Sequence, residues 1–199
     1  VAAQRDDSRP VFAAYGDSFV AGWGVSPEDS LPVRLEEEFV RAGKNWRVLN
    51  FGVSGETALQ GLARLPEVLA AHPRAALVDF GGNDCWLGRP LEETRDAMRR
   101  LISGLQGAGC GVFLCGWRTS IDLFDPVAAP PGFTPEYVAA FNTLHGELAA
   151  EFGLRWIKHI LDPLEGVPDC FQPDGTHPNP KGARLLARAL APLILPLLG

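Results

Sequence analysis

The sequence predicts an α/β protein built on one doubly wound, mostly parallel sheet with helices on both faces. Three observations predict it. Strand-like and helix-like segments alternate from Val11 to Pro196 with no internal repeat and no linker, which is how successive parallel crossovers read in a chain. The first and third strand-like runs are continuous enough to be buried on both faces of a sheet. The composition, 199 residues with 46% hydrophobic and 21% charged, suits one globular domain over residues 1–199 with a full core.

Residues 11–15 carry no charge and read as the first strand, ending in Gly16-Asp17-Ser18. Residues 26–30 are a turn-rich link. Apolar residues at helical spacing from Leu31 to Val40 predict a helix that Gly43 ends. Residues 46–51 read as the second strand, and Thr57 can cap a helix over 58–71. The third strand, 75–80, is broken by Gly81-Gly82-Asn83-Asp84. An amphipathic helix over 91–105 ends around Gly107, and 111–115 is the fourth strand. A long irregular segment, 117–133, carries Pro126, Pro130 and Pro131. Thr134-Pro135-Glu136 opens a helix with a cap and a proline at its first position; Gly153 stops it. Residues 154–157 are the fifth strand and 158–179 a loop. Pro180-Lys181-Gly182 opens the final helix. The apolar tail, 185–199, is too short and too broken by Arg188, Pro192 and Pro196 to span a bilayer, so it reads as core-facing.

The formal charge of −6 gives no electrostatic reason to bind nucleic acid or an anionic membrane. Residues 1–10 are polar and contain no signal-peptide core, so the chain is cytosolic or has lost a leader before Val1. The four cysteines form no Cys-x-x-Cys pair, so no zinc site is expected and buried thiols are favoured. Cys85 and Cys170 fall in loops near the predicted site and are the pair to check for a disulfide. Nothing in the sequence bears on oligomeric state.

The chemistry concentrates in four short blocks. Ser18 follows a buried strand, so it sits at the carboxyl edge of the sheet, where open α/β sheets bind ligands. If a helical turn follows, the hydroxyl and the N–H of Ser18 face one cavity as nucleophile and oxyanion donor. In Asp174-Gly175-Thr176-His177 an acid three residues before a histidine can reach the imidazole Nδ1–H, leaving Nε2 as a base. Asn83, after the third strand, can aim its side-chain NH2 at an oxyanion. Gly55, after the second, can offer an unobstructed N–H. Each block alone also reads as an ordinary turn. Of the other histidines, His145 lies mid-helix and His72 precedes Pro73. His159 is the only rival base, and it has no acid three residues before it.

These blocks, in this order, resemble the SGNH (GDSL) hydrolases, with particular likeness to the bacterial thioesterase–arylesterase branch, where the run 61–66 is also familiar. The resemblance covers about 11–196. It implies a single three-layer α/β/α flavodoxin-like domain with a five-stranded parallel sheet of order 2-1-3-4-5. It also implies a triad of Ser18, Asp174 and His177, and an oxyanion hole of Ser18 N–H, Gly55 N–H and Asn83. The segment 117–133 looks longer than its counterpart in compact members, in a region that shapes the acyl pocket. Apolar residues near the site, Trp23, Trp86, Leu87, Trp117, Phe124 and Phe171, are candidates for a hydrophobic slot, although loop anchoring accounts for about half of them. The expected activity is hydrolysis of short- to medium-chain carboxylic esters, with aryl esters, thioesters and lysophospholipids as further substrates. It needs no metal or other cofactor, because the oxyanion hole does the electrophilic work. The alternative is a carbohydrate acetyl esterase or an acyltransferase using the same triad. A flavin-binding module fits less well, because Phe19-Val20-Ala21 is the wrong chemistry for a phosphate loop.

Overall fold

The structure, a computed structural model, describes residues 8–123 and 129–199. Its sheet has five strands, all parallel, in the order β2-β1-β3-β4-β5: β1 Val11–Gly16, β2 Arg47–Gly52, β3 Ala75–Asp79, β4 Gly111–Cys115 and β5 Arg155–Ile157. β1 and β3 are buried along their whole length, as central strands are when helices cover both faces, and β3 ends in a buried acid, Asp79. β2 and β5 form the edges and are partly exposed.

Seven helices flank the sheet among the described residues: α1 Ser18–Ala21, α2 Leu31–Arg41, α3 Ala58–Ala70, α4 Gly82–Trp86, α5 Leu91–Gly107, α6 Pro135–Phe152 and α7 Pro180–Ile194. Leu35 and Phe39 of α2 and Leu186 and Leu190 of α7 close one face over Phe12, Ala14 and Leu77. Leu65 and Val68 of α3, Met98, Leu101 and Ile102 of α5, and Leu144 and Leu148 of α6 close the other over Ala13, Tyr15 and Val78. The alternation of inward faces along β1 and β3 thus sends successive side chains into two separate cores.

Local chemistry sets the helix ends. Thr57 and Gln60 form a reciprocal capping box at the start of α3. Thr134 caps α6 with Pro135 at its first position, and Gly153 ends it in the left-handed conformation. One predicted break is a helix: after Gly81, at φ +114°, residues Gly82–Trp86 form α4. Cys85 and Cys170 are both free and buried, as are Cys110 and Cys115, so the disulfide considered for the first two is not present. The core-facing reading of the last helix holds, with Leu186, Leu190 and Ile194 of α7 buried. No helix among the described residues is long and apolar enough to cross a membrane.

The order reverses between β1 and β3, so the loops after these two strands diverge and leave a crevice at their carboxyl ends. Close backbone approach makes the crevice tight. A Cβ on Gly16 would lie 2.6 Å from the Asp79 carbonyl oxygen, its neighbour across the β1–β3 ladder.

Gly61 tests how tightly the second core is packed. In mid-helix, alanine is normally favoured over glycine by about 1 kcal/mol. Here a Cβ would stand 2.5 Å from Cζ of Phe80, whose ring packs edge-on against Tyr15. Gly61→Ala is therefore predicted to destabilise the protein by about 1–3 kcal/mol despite the gain in helix propensity, read as a lower urea midpoint at unchanged m-value.

Candidate active site

Ser18 is the first residue of α1, directly after β1 and Asp17. The Asp17 carboxylate caps this turn by accepting from the Phe19 N–H at 3.1 Å. At a helix start the helix itself leaves the backbone N–H of Ser18 unpaired. From the far end of the chain, the loop before α7 delivers His177. Its Nε2 lies 2.9 Å from Ser18 Oγ, and its Nδ1 lies 2.8 Å from Asp174 Oδ2. The second bond leaves Nδ1 as the protonated nitrogen and Nε2 as the acceptor.

Asp174 is exposed, yet it is strongly held. Its Oδ1 accepts the N–H groups of Thr176, at 2.9 Å, and of His177, at 3.0 Å. These two backbone bonds, with the imidazole bond after them, lower its pKa to about 2. Asn179 pins the same loop. Its Oδ1 caps α7 through the Lys181 and Gly182 N–H groups, and its Nδ2 donates to the carbonyls of Asp169 and Phe171. The imidazole rests on Phe19, with ring centres 5.3 Å apart.

The two expected oxyanion residues are placed differently. Asn83 lines the cavity at Ser18 with Asp17, Phe19, Gly82, Trp86, Trp117, Thr176 and His177. Its Nδ2 already donates to Asp17 Oδ2 at 2.9 Å and to the Glu56 carbonyl at 3.0 Å, so both amide hydrogens have partners. Gly55 has φ +82°, is exposed, and does not line that cavity. The loop it belongs to is fixed by Arg64, which grips both carboxylate oxygens of Glu56 at 2.6 Å and also donates to the Phe51 carbonyl. The Glu56–Asn83 bond thereby ties this loop to α4.

The cavity at Ser18 is small, about 60 Å³, but shares Gly82, Trp86, Trp117 and Thr176 with a neighbouring chamber of about 180 Å³. The chamber is mainly apolar, walled by Trp86, Trp117, Phe141, Leu161 and Cys85, with Arg118, Thr119, His159 and Thr176 as its polar residues. Trp86 and Trp117 are therefore where the sequence reading expects them. Trp23 is exposed beside the imidazole, with ring centres 6.3 Å apart. Leu87 is exposed. Phe171 packs against the core, bridged to Pro178, and lines neither cavity. Phe124 lies outside the described residues. His159 is in the chamber wall against Trp117, and burial lowers its pKa. His145 is fully buried, with Nε2 bonded to the Phe80 carbonyl, and burial brings its pKa down to about 4. His72 is exposed at the end of α3.

This arrangement can move a proton from a hydroxyl to an imidazole whose orientation a carboxylate fixes, beside an apolar chamber. The sequence profile of the GDSL-like Lipase/Acylhydrolase family matches residues 14–185, which include every block just described. The chain belongs to this family. Over 184 residues it is 29% identical to esterase TesA of Pseudomonas aeruginosa, covering 92% of this chain and 87% of that one. It is 31% identical over 184 residues to thioesterase 1/protease 1/lysophospholipase L1 of Escherichia coli K12, covering 90% and 82%. The crystal structure of TesA matches with a TM-score of 0.81 at 28% identity, over 94% of this chain and 99% of that one.

Several supports of this GDSL-family site were not legible in its motifs. Asp84 is buried and joins three elements: it sits on α4, accepts the Ala58 N–H that opens α3, and accepts the Thr94 hydroxyl on α5. Burial raises its pKa. The only sequence signal for it was its place in Gly82-Asn83-Asp84. Arg64 had a weaker one, the run 61–66. Asp79, buried under the site, had none.

The state of Asp174 sets the form of the acid limb. Because this carboxyl is held down to about 2, it stays ionised across the assayable range. Asp174 is therefore predicted to contribute no proton to the fall of kcat/KM for ester turnover on acidification. A proton entering the limb between about pH 3 and 4, the range of an unheld aspartate, would contradict this geometry.

Proposed function

We propose that this chain is a serine esterase that cleaves short- to medium-chain carboxylic esters through an acyl-enzyme intermediate. In it Ser18 is the nucleophile, His177 the general base and acid, and Asp174 the orienting carboxylate. The observation that carries the proposal is the continuous hydrogen-bonded line from Ser18 Oγ through His177 to Asp174, opening on an apolar chamber.

Ser18 Oγ attacks the ester carbonyl carbon while its proton passes to His177 Nε2. The carbonyl oxygen becomes an oxyanion, and collapse of the tetrahedral species expels the alkoxide or phenoxide, which takes the proton from Nε2. Water then repeats the sequence on the acyl-enzyme and returns Ser18 to its resting state. The oxyanion is received by the Ser18 N–H and by Asn83 Nδ2, donors typically worth about 3–4 kcal/mol each; the Gly55 N–H, which does not line the resting cavity, serves only an oxygen that extends beyond it. Asn83 serves once one of its resting partners gives way.

The chamber supports the substrate class. A cavity of about 150 Å³ accepts a benzene ring, so 180 Å³ takes a short acyl chain or one ring. Trp86 and Trp117 supply much of its apolar lining. Aryl esters and thioesters suit the same acyl site, since the group that differs leaves from the opposite side of the carbonyl; a lysophospholipid suits it only where its acyl chain is short.

Ser18→Ala is predicted to lower kcat on p-nitrophenyl butyrate by about 10⁴-fold or more with the fold intact by circular dichroism. A serine-directed phosphonate should label Ser18, located by mass spectrometry, and should not label the variant. More than a few per cent of residual activity, or a label elsewhere, would refute the assignment. Faster turnover of acetylated xylose than of any p-nitrophenyl ester would refute the substrate class.

A further inference from the structure

One buried acid has no part in the mechanism above. Asp79, the last residue of β3, is fully buried. Its Oδ1 accepts the indole Nε1–H of Trp117 at 2.8 Å, and its Oδ2 has no hydrogen-bond partner. A buried carboxyl costs folding free energy unless it is satisfied. Burial and the neighbouring Asp17 raise its pKa well above the ordinary range. Both effects favour the protonated acid, in which the carbonyl oxygen accepts the hydrogen bond from the indole N–H.

Trp117 is the side chain that this acid holds. It follows β4, the neighbour of β3, so the bond joins two strand ends below the crevice. The indole lines both the cavity at Ser18 and the larger chamber. It stands edge-on to Phe19, with centres 4.9 Å apart, and lies 3.2 Å from where a Cβ on Gly82 would be. Packing therefore limits it on the sides of Phe19 and Gly82, and the bond to Asp79 fixes its polar edge.

We propose that Asp79 is a positioning residue for specificity: its hydrogen bond holds the Trp117 indole as a wall shared by the Ser18 cavity and the chamber, and so limits the acyl length that the two together accept. The proposal rests on the esterase reading and adds to it the residue that sets chain length. A carboxamide retains the carbonyl acceptor and the shape of a protonated acid. Asp79→Asn therefore keeps this wall in place, whereas Asp79→Ala releases it.

The test compares kcat/KM on p-nitrophenyl octanoate with that on p-nitrophenyl butyrate. In Asp79→Ala the octanoate-to-butyrate ratio should rise by about fivefold or more, the scale on which pocket methylenes are discriminated. In Asp79→Asn it should stay within about twofold of the parent value. Trp117→Phe should raise it as well, and adding Asp79→Ala to that variant should change it no further. The ¹⁵N-indole spectrum gives a readout without substrate. The Trp117 resonance, assigned by its loss in Trp117→Phe, should move upfield in Asp79→Ala and hold its place in Asp79→Asn. A common fall in both rates with an unmoved ratio would mark a purely structural acid and overturn the proposal, as would a ratio that shifts equally in the alanine and asparagine variants. Should Asp79→Ala not fold, the other two variants decide: Trp117→Phe must move the ratio and Asp79→Asn must not. A parent protein that cleaves no ester would instead defeat the esterase reading, and the indole resonances would still support or overturn the clamp.

Discussion

The site depends on one contact between residues 159 positions apart, the hydrogen bond from Ser18 Oγ to His177 Nε2. Neither partner can be placed by its own neighbourhood. Ser18 is held by β1 and by the Asp17 cap, while His177 is held by the loop that Asn179 and Asp174 fold before α7. What brings them together is the sheet. β1 is central, and α7 packs on the face of the sheet that carries Phe12 and Ala14, so its leading loop returns to the carboxyl end of β1. Two cores with few side chains in common make that return rigid, and a rigid frame is what holds a 2.9 Å contact without substrate.

Beneath the contact lies a layer of buried polar groups, each answering a different need. Asp84 spends both oxygens on hydrogen bonds, one to the start of α3 and one to α5, and so fixes where α4 lies. Asp17 accepts from Phe19 and Asn83, joining the loops after β1 and β3. Burial first, and Asp84 nearby, raise its pKa to about 7. Asp79 carries the indole. Three carboxyls so close cannot all be ionised in a low-dielectric interior. Hydrogen bonds to Asp17 and Asp84 favour charge there, so the neutral state falls most heavily on Asp79, which has the single indole donor.

Much of this frame was legible in the sequence because it is set locally. The uncharged runs gave β1 and β4 to within a residue, and Thr57, Thr134 and Gly153 marked helix ends through chemistry that acts over three or four residues. The line Ser18–His177–Asp174 was legible only as an ordered set of blocks, since no local rule links residues so far apart. The misses share a cause. α4 read as a break because Gly-Gly-Asn-Asp favours turns; what makes it helical is tertiary, with Asp84 tied to α3 and α5. Phe171 read as a pocket wall because it is aromatic and in a loop, but the bridge to Pro178 sits it against the core. The chamber was not legible, because Phe141, Leu161 and Trp117 meet there from three separate segments.

The resting partners of Asn83 bear on how an oxyanion would be received. With both amide hydrogens engaged, stabilisation by this residue is an exchange of acceptors and not the use of an idle donor. Its size depends on which acceptor is released. The Glu56 carbonyl is neutral, whereas Asp17 is partly ionised near neutral pH, and hydrogen bonds to charged acceptors are about twice as strong. Releasing Glu56 is therefore the cheaper exchange, and it leaves Asp17 to hold the amide in orientation. Position then matters as much as strength. The Arg64 grip on Glu56 keeps the Gly55 loop in place when the bond to Asn83 is given up. The loop that surrenders a contact to the oxyanion is thus the one that the proposed mechanism also asks to supply a donor, and an ion pair outside the cavity lets it do both.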